Sequence, residues 1–471
     1  MGFSKPRKVA VVGGGLTGIA SFWALHGSSF DVHLFEASPA LGGHIKTLAL
    51  ENNGNQIQVD TELPTFNPIA CPNLASILRY LKIPTTEVPF SFGVSDNTSV
   101  FKWHIKSISE YAGPQVSTER YLQEKGYPNG FRDRYLTPLL STLWRTNAGK
   151  FLPNLPVKVL ARSLHEHRLL SMCENRPKWR RINPGVRYLV DAIAKNFPLE
   201  RLHLQTKVNE IARRSKSQYD LLTSDGKHSR FDHVILTVDG PEILRLLCST
   251  VTEEENHILQ SLGVTRNIAV LHSDFPAITD DVAPDYDFIM VSSNYRRQDL
   301  LPPKFCLRYD VNVLQDIPAS RFGEVFITFN SLSPPHPSLV QGVWEFTEPK
   351  PSAETLVAQS RLALIQNTRR LSYGFCWTGR GLLEDSITSG LRIAVEDLGA
   401  TVPFDVAFHP HPLNPTESSY KRSGLRYNLA RTALEAARTV VLVLEIVLLL
   451  LGRIEAPALM VRAPLDRASR I

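Results

Sequence analysis

The feature that most constrains this chain is the pattern of residues 8–36, which reads strand, glycine-rich turn, helix, strand and acid. Residues 9–12 form a continuous apolar run, as a buried parallel strand requires. Gly13 permits a sharp turn, Gly15 lets the backbone approach a pyrophosphate, and Gly18 lets the helix pack closely on the sheet. The helix would then direct its free amides at the phosphates.

A carboxylate completes this βαβ pattern. Glu36 closes the second strand about twenty residues after the turn, where it would accept hydrogen bonds from a ribose diol. A glycine triplet alone is weak evidence, whereas strands, helix and acid in this order predict a dinucleotide site. The residues predicted to contact the dinucleotide are Gly13, Gly14, Gly15, Leu16, Thr17, Gly18 and Glu36.

A second glycine pair distinguishes FAD from NAD. Gly42 and Gly43 follow the acid and precede His44. In FAD proteins of the glutathione reductase type, such a pair carries the chain past the ribityl–phosphate side of the flavin, and NAD dehydrogenases do not require it. The sequence therefore predicts FAD as the cofactor, with Gly42, Gly43 and His44 among its contacts.

On these residues the chain resembles the flavin-containing amine oxidoreductase superfamily, which includes monoamine oxidase and phytoene desaturase-like enzymes. It is similar to an uncharacterised FAD-binding subgroup of bacteria and fungi whose motif reads Val-Asp-Thr-Gly-Phe, followed by an aromatic–Asn pair. Here residues 59–63 read Val-Asp-Thr-Glu-Leu, and Phe66 and Asn67 follow. Glu62 stands where that pattern has glycine. The resemblance implies an α/β fold, in which a Rossmann-type, glutathione reductase-like FAD-binding domain is interleaved with an α+β substrate domain built on an antiparallel sheet.

Composition agrees with such a protein. A chain of 471 residues with 43% hydrophobic content can bury the cores of two interleaved domains. Its five cysteines are scattered, with no CxxC pair or zinc spacing, which predicts reduced thiols, no metal and an intracellular protein. A net charge of +6 without a basic run argues against nucleic-acid binding. The amino end enters the first strand directly, so no signal peptide is expected.

The order of motifs predicts a discontinuous domain organisation. We expect residues 1–90, 185–240 and 366–405 to form the FAD-binding domain, and residues 91–184 and 241–365 the substrate domain. Residues 202–208 look like the strand whose Val208 backbone would contact adenine, and residues 231–237 read as a buried strand of the central sheet. Alternating patterns between 241 and 365 indicate the antiparallel sheet. Residues 406–471 would form a C-terminal extension.

A second flavin signature lies near the carboxyl end. Residues 373–379 read as a strand that ends in glycine, and residues 384–391 as the start of a helix at Asp385 or Ser386. The amides of that helix would point at the ribityl chain or pyrophosphate, although either residue could also be an ordinary helix cap. The resemblance implies cofactor contacts at Gly379, Glu384, Asp385, Thr388 and Ser389.

The resemblance implies an FAD-dependent oxidoreductase that transfers a hydride to flavin N5 from an amine or an apolar acyl, polyene or secondary-metabolite substrate. The catalytic residues stay unknown, because residues 260–350 contain no equivalent of the lysine that monoamine oxidase-like enzymes place near N5. Arg308 and Tyr309, with Asn294 and Tyr295, are candidates, and a structural role is the favoured interpretation of each. His165 and His167 point to opposite sides of a helix, so a shared metal is not expected.

The apolar segment 439–451 leaves three roles open. It is interrupted by Glu445, shorter than a spanning helix requires, and flanked by arginines such as Arg438 and Arg453 that suit anionic headgroups. It could lie on a membrane surface, pack against protein or span a membrane once. Two other functions remain alternatives: an NAD(P)-dependent dehydrogenase that uses only the first βαβ unit, and an inactive flavin-binding scaffold at a membrane.

Overall fold

The computed structural model describes residues 6–52, 54–88, 92–95, 100–101, 116–144, 152, 155–166, 179–274, 286–290, 305–331, 334–349, 352–374, 376 and 382–408. All of them lie in one compact unit, Met1–Asn414. The apolar segment 439–451, Gly379, His167, Asn294 and Tyr295 lie outside the described residues. Among the described residues no helix has both the length and the apolar character that crossing a bilayer requires.

The strands, numbered in chain order, are β1 Lys8–Val12, β2 Asp31–Phe35, β3 Thr47–Asn52, β4 Asn55–Asp60, β5 Thr65–Phe66, β6 Thr85–Val88, β7 Phe92–Ser95, β8 Val100–Phe101, β9 Trp179–Ile182, β10 Leu202–His203, β11 Val208–Ser215, β12 Gln218–Thr223, β13 His228–Phe231, β14 His233–Leu236, β15 Val264–His272, β16 Tyr286–Met290, β17 Phe305–Asp310, β18 Phe326–Phe329, β19 Val340–Pro349 and β20 Leu371–Tyr373.

The α-helices are α1 Leu16–Leu25, α2 Pro72–Tyr80, α3 Thr118–Glu124, α4 Asn129–Phe131, α5 Thr137–Trp144, α6 Val157–Glu166, α7 Val186–Ala194, α8 Gly240–Leu247, α9 Glu253–Gln260, α10 Val311–Gln315, α11 Ala319–Phe322, α12 Ala353–Arg361 and α13 Leu383–Arg392. Two π-helical turns, Arg132–Leu136 and Ile393–Asp397, adjoin α5 and α13.

A parallel five-stranded sheet organises the half of the molecule that contains the first βαβ unit. Its order is β10-β2-β1-β14-β20, so β1 lies at the centre between the second strand of the βαβ unit and a strand more than two hundred residues later in the chain. The apolar run of β1 is buried because helices and strands cover both faces of the sheet. The predicted α/β class with its Rossmann-type sheet is confirmed, and the strand expected within residues 231–237 is β14.

Close helix packing on one face of this sheet depends on glycine. A Cβ at Gly18 would collide with the Gly13 carbonyl, and one at Gly390 would collide with the Thr17 carbonyl. Helices α1 and α13 therefore approach backbone to backbone, and Ser21 Oγ donates to the Gly390 carbonyl at 3.2 Å across the contact. This contact fixes α13 beside the first glycine turn.

A seven-stranded sheet organises the other half, in the order β19-β15-β18-β17-β16-β7-β8. The neighbours are antiparallel except for β16 and β7, which run parallel. The predicted antiparallel sheet is thus present with one parallel pair. Its inner face packs on the hairpin β3–β4 through a core that includes Leu50, Val59, Leu307 and Ile327.

Two local predictions differ from the structure. Residues 202–208 do not form one strand, because Gln205 adopts a left-handed conformation (φ 51°) between β10 and β11. The helix expected to begin at Asp385 or Ser386 begins at Leu383. Tertiary hydrogen bonds to the end of β2 accompany the first difference, whereas a local cap of Asp385 on Leu382 N accompanies the second.

Candidate cofactor and substrate cavity

A cavity of about 400 Å³ lies between the central sheet and the seven-stranded sheet. It is lined by Gly13, Gly14, Gly15, Leu16, Thr17, Glu36, Gly42, Gly43, His44, Ile45, Thr61, Glu62, Thr237, Val238, Asp239, Glu242, Phe329, Trp344, Phe346, Thr347, Glu348, Pro349, Cys376, Leu382, Leu383 and Ser386. Two glycine turns, a helix start and an aromatic strand face therefore share one space.

The first glycine turn presents backbone to this space. Gly15 is the N-cap of α1, where no side chain caps the helix, so amides of its first turn are left for another acceptor. A Cβ placed on Gly15 would meet nothing within 4 Å, which means that the position opens into the cavity. The Glu36 carboxylate accepts hydrogen bonds from Gly14 N at 2.6 Å and Ser38 N at 2.7 Å. These hydrogen bonds hold the carboxylate against the first glycine turn.

The second glycine pair packs directly on the first turn. Gly42 N donates to the Gly14 carbonyl at 2.8 Å, and a Cβ on Gly43 would approach Gly15 Cα at 3.1 Å. Both Gly42 (φ 122°) and Gly43 (φ 61°) have positive φ, which side chains other than glycine rarely adopt. His44 follows on the cavity wall, and its carbonyl accepts a hydrogen bond from Thr61 Oγ at 2.9 Å.

A third wall, which the sequence reasoning missed, comes from residues 237–239 at the carboxyl end of β14. Thr237 Oγ lies 2.9 Å from both the Val12 and the Gly13 carbonyls, and Asp239 Oδ1 caps α8 by accepting from Glu242 N at 2.9 Å. The sequence could have indicated this wall, because ligands bind at the carboxyl ends of parallel strands and the predicted strand within residues 231–237 ends here.

The start of α13 reaches the cavity through Leu382, Leu383 and Ser386. Asp385, predicted as a cofactor contact, accepts a hydrogen bond from Leu382 N at 3.0 Å, which is the cap role that the sequence left open.

The predicted contact Glu384 is engaged elsewhere, on the start of α2. Its carboxylate accepts from Asn73 N at 3.0 Å and from Leu74 N at 2.8 Å, and burial raises its pKa to about 7. Thr388 Oγ accepts from Asn73 Nδ2 at 2.7 Å. Neither Glu384, Thr388 nor the buried Ser389 lines the cavity, because the helix turns this face toward α2 and α1.

Val208 also does not line the cavity. It begins β11, where it is buried in the core between the central sheet and the β11–β13 sheet. Gln205 N and Thr206 N instead donate to the carbonyls of Ser38 and Glu36, at 3.0 and 2.8 Å, and so tie this segment to the end of β2.

The opposite wall is built by side chains of β18 and β19. Trp344, Phe346 and Glu348, which alternate along β19, line the cavity together with Thr347 and Pro349, whereas Val343 and Glu345 are exposed. Phe329 of β18 packs against Phe346 with ring centroids 4.9 Å apart.

The charged residues that line the cavity are predominantly acidic. They are Glu36, Glu62, Asp239, Glu242 and Glu348, and no lysine or arginine occurs among the described lining residues. The guanidinium of Arg245 lowers the pKa of Glu242 through a bidentate ion pair at 2.7 Å. Glu348 is 7% exposed and Glu62 is half-buried, so both carboxylates lie in a cavity of reduced solvation.

Two of the candidates for a catalytic role, Arg308 and Tyr309, do not line this cavity. Tyr309 is fully buried and contacts Phe329, while the Arg308 guanidinium lies 5.2 Å from the Phe326 ring. Neither lines the cavity, which favours their structural role. Within the described part of the chain no cluster of histidine, cysteine and acidic residues could hold a metal ion.

The described residues fit a dinucleotide cofactor. Backbone from two glycine turns forms one wall, and an uncapped helix start faces it. Among the glycines that line the cavity, Gly15 is the one where a methyl group would project into open space. Glu36 stands at the end of β2, where a ribose acceptor is expected.

Comparison with known proteins agrees with this geometry. Residues 11–81 match the model of an NAD(P)-binding Rossmann-like domain, and residues 117–344 match that of a flavin containing amine oxidoreductase. The carotenoid phi-ring synthase of Chlorobaculum tepidum is 46% identical over 55 residues, which are 12% of this chain and 8% of that protein. The chain therefore spans only a small part of the curated relative that it matches.

Solved structures share the fold over most of the chain. UDP-galactopyranose mutase in its reduced form is 14% identical, with a TM-score of 0.59 and coverage of 86% of this chain and 97% of that chain. Putrescine oxidase bound to putrescine is also 14% identical, with a TM-score of 0.58 and coverage of 83% and 99%. At such identities these likenesses concern the fold alone.

Fold and family matches together make the chain similar to FAD-dependent oxidoreductases. More particularly it is amine oxidase-like: the predicted resemblance to the flavin-containing amine oxidoreductases and the predicted FAD cofactor are confirmed.

Proposed function

We propose that this protein oxidises a small amine, recognised as its ammonium cation, to the iminium ion: the ammonium releases a proton to bulk solvent, and the carbon next to the nitrogen then transfers a hydride to FAD. The observation that carries the proposal is the single cavity that joins two glycine turns to an aromatic and acidic strand face. FAD, when bound, accepts a hydride at flavin N5. The chain's own residues then have to hold the amine against that ring and exclude water.

The proposed cofactor contacts start from the two glycine turns. Gly13, Gly14 and Gly15, with the start of α1 through Gly18, would cradle the pyrophosphate, and Glu36 would accept from the ribose. Gly42, Gly43, His44 and Ser386 are proposed to follow the cofactor toward the flavin. We also propose that residues 1–90, 185–240 and 366–405 form the FAD-binding domain.

The charges of the cavity favour an amine over an acyl substrate. A carboxylate substrate would meet Glu62 and Glu348 with no lysine or arginine among the described lining residues to neutralise it. An ammonium group would be attracted both to these carboxylates and to the faces of Trp344 and Phe346. We therefore assign Glu348 the task of binding the ammonium group and the aromatic pair the task of packing on the carbon chain.

Anaerobic reduction of the purified flavoprotein tests the proposal. Butylamine, benzylamine and 1,4-diaminobutane should bleach the flavin absorbance, whereas the matched alcohols and fatty acids should not. E348Q should raise the half-saturating amine concentration by at least about tenfold, because it removes a buried charge that faces the ammonium. E345Q is the matched control, since Glu345 lies on the same strand but is exposed on its other face, and it should behave as the wild type.

Other results would redirect the assignment. Bleaching by fatty acids or polyenes alone would favour the apolar alternative. A colourless protein that binds NAD(P)H would favour the dehydrogenase, and a flavoprotein that no biological reductant reduces would favour the inactive scaffold. Membrane-surface contact through segment 439–451 stays a prediction that vesicle co-sedimentation of the full chain can test.

A further inference from the structure

The main chain of Asp60, at the end of β4, is held by one side chain from a distant part of the sequence. Gln315, the last residue of α10, accepts from Asp60 N at 2.9 Å through Oε1 and donates to the Asp60 carbonyl at 2.8 Å through Nε2. The amide thus provides the acceptor and donor that a neighbouring strand would supply. A carboxylate lacks the donor and an apolar side chain lacks both groups.

Asp60 is in turn connected to the second glycine turn. Its carboxylate accepts from Arg187 N at 3.0 Å, and Arg187 Nη1 donates to the Leu41 carbonyl at 2.6 Å, immediately before the glycine pair. The next residue, Thr61, donates through Oγ to the His44 carbonyl at 2.9 Å. The place of Asp60 therefore determines where this cavity wall lies.

At its other end, α10 belongs to the substrate side. Its N-cap is Asp310, the last residue of β17, and β17 pairs with β18, which carries Phe329 on the aromatic wall. Arg181 holds the helix independently, because Nη1 donates to the Val313 carbonyl at 3.0 Å and Nη2 lies 3.1 Å from the Asp316 carboxylate. Loss of the Gln315 amide should therefore leave α10 anchored.

We propose that Gln315 is a positioning residue that sets the spacing between the cofactor wall and the aromatic substrate wall. This inference rests on the proposed function, since the spacing matters only if a substrate on one wall reacts with FAD on the other. Gln315 does not line the cavity. It acts through Asp60 on one side and through β17 on the other.

The test compares Q315L with Q260L in the full FAD-loaded chain. Gln260 is a matched control: its amide also makes a side-chain hydrogen bond, to Asn256 Oδ1 at 2.9 Å, but on the exposed face of α9. With 1,4-diaminobutane as the probe, Q315L should lower the limiting rate of anaerobic flavin reduction by about 10- to 100-fold. Its half-saturating amine concentration should change little, because Glu348 and the aromatic wall are intact.

Three outcomes would overturn the inference. One is an unchanged limiting rate in Q315L, and another is a parallel loss of FAD, stability and rate, which a merely structural role would produce. If no amine reduces the wild type, the proposed function fails. The spacing between the two walls can then be tested separately, by iodide quenching of the fluorescence of the bound flavin. Stronger quenching in Q315L than in the wild type and Q260L would support altered spacing, and equal quenching would be the third contrary outcome.

Discussion

The two walls of the cavity are built from different parts of the polypeptide. The cofactor wall is largely main chain, contributed by glycine turns that follow strands of the parallel sheet. The substrate wall consists of side chains, presented by alternate residues of β19 and by Phe329. An added Cβ on a main-chain wall either collides with neighbouring atoms or enters the cavity, whereas a side-chain wall can change its charge and shape without changing the fold. Cofactor retention and substrate choice should therefore respond to separate substitutions.

The largest expected effect is on cofactor retention. G15A should weaken FAD binding by ~100-fold or more, about 2.7 kcal/mol, because the methyl group enters the space that a pyrophosphate must occupy. Gly15 has φ −70° and no neighbour within 4 Å of a Cβ, so the variant should fold normally. G27A is the matched control, since a Cβ there also meets nothing within 4 Å. Titration with FAD, followed by flavin fluorescence, measures both, and full flavination of G15A would refute our placement of the cofactor.

A second effect, on protein stability and of comparable size, separates helix packing from cofactor binding in the half of the molecule built on the parallel sheet. The pKa of Glu384 is raised to about 7 by burial, above its usual value of 4.5. Between these pH values the unfolded chain releases a proton that the folded chain keeps, so this group's stabilisation is complete below pH 4.5 and is lost as the pH rises through 7. E384Q lacks this titration. The stability advantage of the wild type over E384Q should therefore fall by roughly 3 kcal/mol at most from pH 4.5 to 7.5.

Urea unfolding at both pH values measures this difference. E354Q, at an exposed glutamate of α12, should show no comparable pH-dependent change. FAD affinity at pH 7.5 decides between the two roles of Glu384. If E384Q loses FAD without a change in stability, the sequence prediction of a cofactor contact is correct and the helix-packing interpretation is wrong.

The smallest effect is expected on the substrate wall. E62G introduces the glycine of the related motif and removes one of the carboxylates that line the cavity. It should raise the half-saturating amine concentration by about fivefold, ~1 kcal/mol, since Glu62 is half-buried and partly screened. FAD affinity should stay unchanged. A comparable loss of FAD would erase the distinction between the two walls.

The sequence was most informative where function depends on local backbone geometry. Gly13, Gly15, Gly42 and Gly43 could be assigned to cofactor turns because few other residues permit such conformations or approaches, and Glu36 because it ends a recognisable strand. The same reasoning did not predict that Glu384 and Thr388 contact the start of α2. Their position at a helix start was clear, but the face they occupy depends on α2, which is more than three hundred residues earlier in the chain.

The amino-acid sequence by itself determined the class of the protein, its cofactor and the glycine turns, since these follow from residues adjacent in the chain. Tertiary structure alone decided that β14 delivers Thr237 and Asp239 to the cofactor side, and that Trp344, Phe346 and Glu348 oppose the glycine turns. It also decided that Gln315 pairs with Asp60 over 255 residues of sequence. The physical reason is that strand order and register bring these side chains together, and the periodicity of each strand indicates which residues share a face but not which face another part of the chain will meet.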